Sequence, residues 1–281
     1  MKGAVEMDVV AFGEILWDVI DGVPHLGGAP FNFAAHAALL ELKTAIVSAV
    51  GCDELGTKAI AAAERFGVGV SLVERHPSLP TGIVNVTLAD GIPSYEIVRP
   101  VAWDEISCGS AADAAPVPPK VFYFGTLAQR SPVSAATLRR LLRAFDTSLT
   151  FFDVNLRQDW WSEALVLKCL ESVDVFKVND EEMKTLGFSP EALFSRFPRL
   201  KTVVETRGAE GCRVASRGES AFDSPAICDG PVVDTVGAGD SFSAAFIAAI
   251  LRGESLKAAA EAGNRLAGKV AARAGAIPED I

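Results

Sequence analysis

Short runs rich in β-branched and aromatic residues alternate along this chain with longer runs rich in alanine and leucine. The short runs predict strands at 8–13, 45–50, 121–125, 149–153, 173–178 and 201–205. The longer runs predict helices at 30–42, 55–66, 134–145, 162–171, 180–186, 190–196, 240–252 and 255–273. Because strands that are joined through helices run parallel, this order predicts an α/β fold. Ligands are then expected at the carboxyl ends of the strands of a mostly parallel, helix-covered sheet.

Two segments depart from this alternation. Residues 14–28 and 81–100 have the pattern of β-hairpins, and Asp90-Gly91 lies near the turn of the second one. Both segments leave the main sheet and return to it, so they are predicted to form a small β lid together over the strand ends. Residues 107–119 are predicted to be a loop.

The composition excludes several classes of protein. With 281 residues and 49% hydrophobic content, the chain can bury a large core. A net charge of −10 argues against a nucleic-acid partner and against an anionic membrane surface. The five cysteines, at 52, 108, 169, 212 and 228, form no Cys-x-x-Cys pair, which favours reduced thiols in the cytoplasm. No run approaches 18 apolar residues and no export signal is recognisable, so we expect a soluble protein.

Residues 231–247, PVVDTVGAGDSFSAAFI, place a glycine-rich turn directly before a helix of small residues. Gly237 and Gly239 can adopt positive φ and allow the backbone to approach a ligand. The first turn of a helix has unpaired N–H groups and a positive dipole, which together suit an anion. Asp240 would repel a phosphate but could take a proton from an attacking hydroxyl, and this combination indicates a kinase. The alternative is a simple helix cap with a shaped turn.

Three successive predicted strands are followed by polar or glycine residues. These are Asp153, Asn155 and Arg157, then Asn179 and Glu182, then Thr206, Gly208 and Gly211. An arginine can neutralise the charge of a transferred phosphoryl group, and a carboxylate with an amide can hold hydrated magnesium. Glycines permit close approach of the backbone to a nucleotide. The alternatives are a surface ion pair for Arg157, a helix-capping box for Asn179 with Glu182, and a plain turn at Gly208.

Other types of site find little support in the sequence. Residues 263–269 have the spacing of a phosphate-binding P-loop, but Val270 replaces the required Ser or Thr and the run lies within a helix pattern. No Gly-x-Gly-x-x-Gly follows the first strand, no Gly-x-Ser-x-Gly elbow is present, and the histidines at 25, 36 and 76 lack metal-ligand spacing. A sugar-binding sensor without catalysis is the remaining alternative, against which the retained Asp240, Gly237 and Gly239 argue.

The chain resembles, over essentially its whole length, the ribokinase-like or PfkB family of carbohydrate kinases. The resemblance rests on Gly13-Glu14, on 27–32 (GGAPFN), 51–56 (GCDELG), 153–157 (DVNLR), 179–182 (NDEE) and 206–208 (TRG), and above all on 234–240 (DTVGAGD). It implies one three-layer α/β/α kinase domain over residues 1–281 with the β lid inserted in it. ATP is implied as the phosphoryl donor and a sugar hydroxyl as the acceptor.

The resemblance also implies a role for each matching residue. Asp240 is implied as the catalytic base, the N–H groups of Gly237, Ala238 and Gly239 as the anion hole, and Arg157 as a contact near the transferred phosphate. The implied nucleotide contacts are Asn179, Thr206, Gly208, Gly211 and Asn264. The implied metal residues are Glu182 and Asn179 for Mg²⁺ through water, and Asp234 with backbone carbonyls around Gly275 for K⁺.

For the sugar, the resemblance implies contacts from Asp18, Gly28 and Asn32. Arg99 or Tyr95 on the second hairpin is expected to add a contact from above. A carboxylate and an amide can read two adjacent hydroxyls, while glycine lets the ring approach. Without the resemblance, Asp18 would be assigned to a turn and Asn32 to a helix cap.

Within the family, the Gly-Gly-Ala-Pro-x-Asn loop and the Trp160-Trp161 pair are similar to those of fructokinases, so fructose phosphorylated at its 6-position is the expected reaction. Kinases of ribose, 2-keto-3-deoxygluconate, tagatose phosphate and nucleosides share most of these motifs and are the alternatives. A phosphorylated acceptor is disfavoured, because 14–28 contains no Lys or Arg and 81–100 contains only Arg99.

The first lid hairpin also suggests a homodimer. Ile15, Trp17 and Val19 alternate with polar or smaller residues, and this pattern predicts an apolar outer face for the lid. Two copies of such a face could pair across a two-fold axis, so a homodimer through the lid is predicted.

Overall fold

The computed structural model describes residues 6–89, 92–107 and 117–278. Within these ranges, nine strands form the main sheet in the order β13-β12-β11-β10-β9-β8-β1-β4-β5. The strands are β1 Val9–Phe12, β4 Thr44–Gly51, β5 Val73–His76, β8 Val121–Phe124, β9 Leu149–Asp153, β10 Val175–Asn179, β11 Thr202–Thr206, β12 Cys212–Ser216 and β13 Phe222–Ser224. Along this order, all neighbouring strands between β11 and β5 pair in parallel. Strand β12 pairs antiparallel with β11 on one side and with β13 on the other.

Helices cover both faces of this sheet. They are α1 Ala29–Leu39, α2 Glu54–Arg65, α3 Pro132–Ala144, α4 Glu163–Leu170, α5 Asp180–Leu186, α6 Pro190–Arg196, α7 Ala238–Leu251 and α8 Leu256–Ala271. Alternate residues of each strand enter different cores, as a strand's two-residue period requires. Val10 and Phe12 pack with α3 to α6, whereas Val9 and Ala11 pack with α1, α2, α7 and α8. The result is the predicted three-layer α/β/α arrangement.

The two hairpins form a separate four-stranded sheet, here called the lid sheet. Its strands are β2 Leu16–Ile20, β3 Val23–Gly27, β6 Gly82–Ala89 and β7 Ile92–Ile97, in the order β3-β2-β6-β7. Each hairpin is antiparallel, and the two hairpins join through the parallel pair β2 and β6. Because β2 follows directly after the carboxyl end of β1, the lid sheet lies at the end of the main sheet where ligands are expected.

The prediction of an apolar outer face on the lid was wrong for Ile15 and Trp17, because both are buried. Ile15 is 0% exposed and Trp17 is 9% exposed, because Ile15 packs into the main core and the Trp17 indole donates a hydrogen bond to Leu55 O at 3.2 Å. Both side chains therefore serve this chain's own packing and are not available to a second copy. The homodimer remains a prediction without the support of these two residues.

The six predicted strands and eight predicted helices are all present, with ends that differ by no more than about two or three residues. The prediction missed β5, β12 and β13. Their sequences, VERH, CRVAS and FDS, are short and polar, which fits strands near the edges of the sheet.

Some features of the sequence fall outside the described part of the chain. These are the Asp90-Gly91 turn, Cys108 and most of the predicted 107–119 loop. Among the residues that are described, every helix is too short or too polar to cross a membrane.

Candidate active site

The turn before α7 forms a cradle of backbone amides at the carboxyl end of the sheet. Gly237 has φ +75° and caps the helix, so the chain reverses into α7 with its first N–H groups directed outward. The N–H groups of Gly237 and Gly239 have no acceptor among the described residues, whereas that of Ala238 points to Thr235 O at 3.3 Å. The predicted anion hole therefore has two free donors, and Ala238 contributes less than expected in this conformation.

Asp240 lies in the first turn of α7 and is half-buried, facing α1 rather than the hydrophobic core. Its Oδ2 accepts a hydrogen bond from Asn32 Nδ2 at 2.9 Å, although 208 positions separate the two residues. Burial, together with the nearby Asp153 carboxylate, raises the pKa of Asp240 to about 6 against the opposing effect of Lys177, Asn32 and Arg157. A carboxylate with such a pKa is a better proton acceptor near neutral pH than an ordinary aspartate.

The start of α1 places the predicted sugar-binding residues beside Asp240. Gly28 caps α1 with φ +106°, and a Cβ there would lie 2.6 Å from Glu14 O, so only glycine fits. The backbone carbonyl of Gly28 accepts from Asn32 N at 2.8 Å, which begins the helix. Asn32 is 4% exposed, and its Oδ1 is buried without a hydrogen-bond partner. An unpaired acceptor beside a candidate base is chemically suited to a sugar hydroxyl.

Two more carboxylates surround the same space. Asp18 lies in the middle of β2, opposite His25, so its alternative assignment to a turn is wrong. Burial raises the pKa of Asp18, while Arg157 and His25 lower it. Burial also raises the pKa of Glu14 to about 7, opposed by backbone N–H groups and Arg157 and reinforced by Asp240. Arg157 thus acts electrostatically on all of these acids from an exposed position on the loop after β9.

Asn179 and Glu182 form the helix-capping box that was the alternative reading of this pair. Asn179 Oδ1 accepts from Glu182 N at 2.8 Å, and Glu182 Oε2 accepts from Asn179 N at 2.9 Å. The other carboxylate oxygen, Oε1, accepts from Leu156 N at 2.8 Å and so anchors the residue before Arg157. Each oxygen of Glu182 already has one backbone donor, and its remaining lone pairs suit the water of a hydrated magnesium ion better than direct ligation.

The predicted nucleotide residues separate into exposed and internal ones. Thr206 ends β11 beside Asn179, and Gly208 follows with φ +52° in open space, so both can approach a ligand. Gly211 is buried, and a Cβ there would lie 2.1 Å from Ser224 O, so its backbone is committed to packing against the strand β13. Asn264 is 6% exposed, and its Nδ2 donates to Ser224 O at 3.0 Å and to Pro225 O at 3.1 Å. The structure therefore shows Asn264 fixing α8 to the end of β13.

The remaining predicted residues have defined partners. Asp234 Oδ2 accepts from Gly275 N at 3.0 Å and its Oδ1 accepts from Val236 N at 3.0 Å, so the two predicted cation-site residues are in contact. The Arg99 guanidinium lies 5.0 Å from the centre of the Trp160 ring at the base of the lid sheet. Within the described ranges, no group of three or more His, Cys, Asp or Glu residues suited to a metal ion is found.

Two charged residues that lie beside Asp240 were not predicted as site residues. Lys177, on β10, and Asp153, at the end of β9, form a buried ion pair of 2.8 Å next to Asp240. Asp153 was noted only as a polar residue after a strand. Lys177 is the charged residue of the strand VFKVN and is flanked by apolar residues on both sides, which was the signal available from the sequence.

Comparisons with known proteins identify the family and the fold of this chain. A family model described as pfkB family carbohydrate kinase matches residues 3–280. Fructokinase-1 of Oryza sativa subsp. japonica is 28% identical over 312 residues, which cover 99% of this chain and 95% of the rice protein. A sugar kinase of Pyrococcus horikoshii, solved in complex with ATP, superimposes with a TM-score of 0.82 at 27% identity over 95% of this chain and 93% of that one. A fructokinase of Vibrio cholerae O395, solved with fructose, ADP and potassium ion, shares the fold with a TM-score of 0.82 at 23% identity over 96% and 94%.

Proposed function

The chain belongs to the pfkB family of carbohydrate kinases, and we propose that it transfers the γ-phosphoryl group of ATP to the 6-hydroxyl of fructose. The observation that carries this proposal is the 2.9 Å contact between Asn32 and Asp240. It places the loop that matches the family's sugar-binding motif against the candidate base, next to the amide cradle of α7. A proton acceptor, a hydroxyl-binding amide and anion-binding N–H groups thereby share one site.

In the proposed reaction, Asp240 removes the proton of the attacking hydroxyl as its oxygen bonds to the γ-phosphorus. The bond from the γ-phosphorus to the β–γ bridging oxygen breaks, and ADP leaves with that oxygen. Asn32 holds the Asp240 carboxylate through Oδ2 and leaves Oδ1 of Asp240 for the substrate. Holding the hydroxyl and the phosphoryl group in line supplies much of the rate, because the two reactants no longer need to meet by diffusion.

The charge on the transferring group is stabilised by this chain's own donors. The N–H groups of Gly237 and Gly239, which have no acceptor among the described residues, would donate to the phosphoryl oxygens, and Arg157 would add a positive charge from the β9 loop. Magnesium, when bound, would supply further positive charge between the phosphates, with Asn179 and Glu182 holding its water shell. Asp234 and the backbone near Gly275 would hold a monovalent cation behind the cradle.

The nucleotide is proposed to lie across the carboxyl ends of β10 and β11, along Asn179, Thr206 and Gly208. Arg157 would then stand between the nucleotide and the sugar. The lid sheet covers the sugar side of this line. Its closure over the sugar would exclude water, which otherwise competes as the phosphoryl acceptor.

The sugar is proposed to bind between Asp18, Gly28 and Asn32, with Arg99 at the edge. Among the described residues of the lid sheet and its immediate flanks, Arg99 is the one Lys or Arg side chain, and it is stacked on Trp160. A phosphorylated acceptor would bring two negative charges close to Asp18 and Glu14. The acidic surroundings therefore favour a neutral sugar.

A panel of acceptors tests the proposal. With ATP and magnesium, we expect the kcat/KM for fructose to exceed that for ribose, 2-keto-3-deoxygluconate, adenosine, tagatose 6-phosphate and fructose 6-phosphate by at least about tenfold, the discrimination that one or two lost hydrogen bonds provide. ADP release gives the rate, and product analysis gives the position of the phosphate. A higher kcat/KM for any other acceptor would replace fructose, and sugar binding without ADP release would favour the non-catalytic sensor.

The rate should fall in acid because Asp240 must be ionised to act as a base. Its pKa is raised to about 6, so kcat/KM should be level above pH 7 and fall about tenfold per pH unit below about pH 6. The nearby Glu14 titrates in the same range, and the measured midpoint will belong to the coupled pair. A profile that stays level down to pH 4.5 would remove Asp240 from the role of base.

A further inference from the structure

Directly beneath the candidate active site lies a buried ion pair that the proposed mechanism does not yet use. Lys177 Nζ is 2.8 Å from Asp153 Oδ2, and the side chains are only 8% and 3% exposed. The two residues are neighbours in the sheet, since β9 and β10 pair in parallel with Lys177 opposite Asp153. The pair is therefore fixed by the register of the two strands.

The lysine is held on one side by a small network. Asp153 Oδ2 also accepts from Tyr123 OH at 3.1 Å and lies 3.2 Å from the Ser243 hydroxyl. These donors come from β8 and α7, so three elements besides β9 converge on one carboxylate oxygen. Such a network sets the position of the ammonium group closely, because each donor restricts where Asp153 can move.

Stability is a weak explanation for this pair. Removing two charges from water costs several kcal/mol per ion, and apolar replacements of buried ion pairs are often neutral or stabilising. Strand β10 is otherwise apolar around Lys177, and Val175, Phe176 and Val178 are all buried. A hydrophobic residue would fit the pattern of the strand, so the lysine needs a different reason.

The position of the ammonium group gives that reason. A Cβ built on Gly239 would lie 3.1 Å from Lys177 Nζ, so the charge sits immediately behind the amide cradle. Lys177 Nζ lies 2.8 Å from the Asp153 carboxylate, the contact expected of a charged ammonium group. Lys177 in turn lowers the pKa of Asp240, while Asp153 raises it.

We propose that Lys177 is a positioning residue of the phosphoryl-transfer site, where Asp153 holds its ammonium group behind Gly239 so that Asp240 stays ionised and the amide cradle gains positive charge. This inference rests on the proposed kinase mechanism. The inference adds a charge balance to that mechanism. The Asp153 carboxylate and the Lys177 ammonium group have opposite effects on the ionisation of Asp240, and together the two charges nearly cancel.

The other charged or polar groups that face Asp240 do not replace this pair. They are Asn32 on α1, Glu14 after β1, Tyr123 on β8 and Arg157 after β9. Arg157 is the other cation among them and is exposed to solvent, which screens its effect on Asp240. Lys177 is the buried cation, so solvent screens its effect on Asp240 much less than it screens that of Arg157.

Opposite charge changes in the pair provide the test. Lys177→Met removes the cation and leaves the Asp153 carboxylate, so the acidic limb of the kcat/KM profile should move up by about one pH unit. Asp153→Asn removes the anion and leaves the ammonium group, so the same limb should move down by a similar amount. The double variant restores neutrality and should return the limb close to that of the unaltered protein. We also expect Lys177→Met to lower kcat about tenfold or more, with the sugar KM changed less than about threefold.

Asp174→Asn is the matched control. Asp174 is also a buried carboxylate with cationic partners, Arg199 at 3.0 Å and Lys201 at 2.9 Å, but it precedes β10 at the opposite end of the strands. It should lower the melting temperature without moving the acidic limb. If Lys177→Met alone does not fold, the double variant can be compared with Asp153→Asn, because these two proteins differ only at position 177. The acidic limb of the double variant should then lie at higher pH than that of Asp153→Asn. Shifts of the same sign in the two single variants, or no shift in that comparison, would overturn the proposal.

A readout without catalysis separates this proposal from the proposed function. The carboxyl carbon of Asp240 can be followed by NMR in protein labelled with ¹³C-aspartate and assigned through its loss in Asp240→Asn. Its titration midpoint should move in the same opposite directions in the two variants. If the sugar panel fails but these shifts are seen, the charge balance stands and the substrate is wrong; if the shifts are absent, the role of Lys177 is wrong whatever the substrate.

Discussion

Asp240→Asn is expected to lower kcat by about 10³-fold, the contribution typical of a general base, with the affinity for ATP nearly unchanged. The substitution keeps the size of the side chain, and the asparagine oxygen can still accept the hydrogen bond from Asn32 Nδ2. The sugar loop and the amide cradle should therefore remain in place. Only the capacity to take a proton is lost, which separates this variant from one that disturbs the site.

The measurement is a steady-state rate with fructose together with ATP binding by calorimetry. A kcat within tenfold of that of the unaltered protein would show that Asp240 is not the base and that its contact with Asn32 is structural. Asp180→Asn is a suitable control, because Asp180 is a partly exposed carboxylate at the start of α5 whose ion-pair partner is Lys184 at 3.2 Å. Its removal should leave kcat unchanged.

Stability gives an independent check on the same substitution. Since the folded-state pKa of Asp240 is raised, its contribution to stability is present at low pH and is lost as the pH rises through about 6. Asp240→Asn removes this loss. The variant should therefore melt at a higher temperature than the unaltered protein at pH 8, and the difference should shrink at pH 4. A gain in stability with a loss of activity is typical of a charged residue kept for function.

The contrast between Asp240 and Lys177 shows what the sequence could and could not predict. Asp240 follows a glycine-rich turn at the start of a helix. The residues that indicate its proposed role are consecutive, so the sequence alone could point to it. The role proposed for Lys177 depends on the register of β9 against β10, which brings Lys177 opposite Asp153 from 24 positions away. Register is set by the packing of the whole sheet, so a strand pattern cannot reveal which side chain lies behind which loop.

The same reasoning explains the fold predictions. Helices and central strands carry a strong periodic signal over many residues, and their ends were predicted to within two or three positions. The edge strand β13 has only the three residues FDS, which is too short for a hydrophobic pattern. It is a strand because it pairs with β12, and the sequence does not show this pairing. The predicted apolar outer face of the lid was wrong for a related reason. Ile15 precedes β2 and packs into the main core, and Leu16 and Trp17 are both buried, because the junction between the two sheets covers this end of the strand.

Gly237→Ala is expected to reduce kcat by about 10²-fold, the effect of losing one donor of an oxyanion-type site. Gly237 has φ +75°, which costs an L-residue roughly 1 kcal/mol or more. An added Cβ would also lie 2.5 Å from Ala276 O and 2.7 Å from Ala276 Cα. Both contacts are with backbone that cannot move aside easily, because Ala276 O is itself bound to His36 Nε2 at 2.8 Å. The turn must therefore shift, and the N–H groups of the cradle shift with it.

Gly253→Ala separates the steric effect from the strain of the backbone. Gly253 follows α7 with φ +78°, nearly the same conformation, but an added Cβ there would meet nothing within 4 Å. Both variants should lose roughly 1 kcal/mol of unfolding free energy from the left-handed conformation, with a further loss in Gly237→Ala from the contact with Ala276. Only Gly237→Ala should lose activity, measured as kcat at saturating sugar and ATP. Equal activities in two folded variants would mean that the phosphoryl group is not held by this turn, and the anion site would then have to lie elsewhere along the carboxyl edge of the sheet.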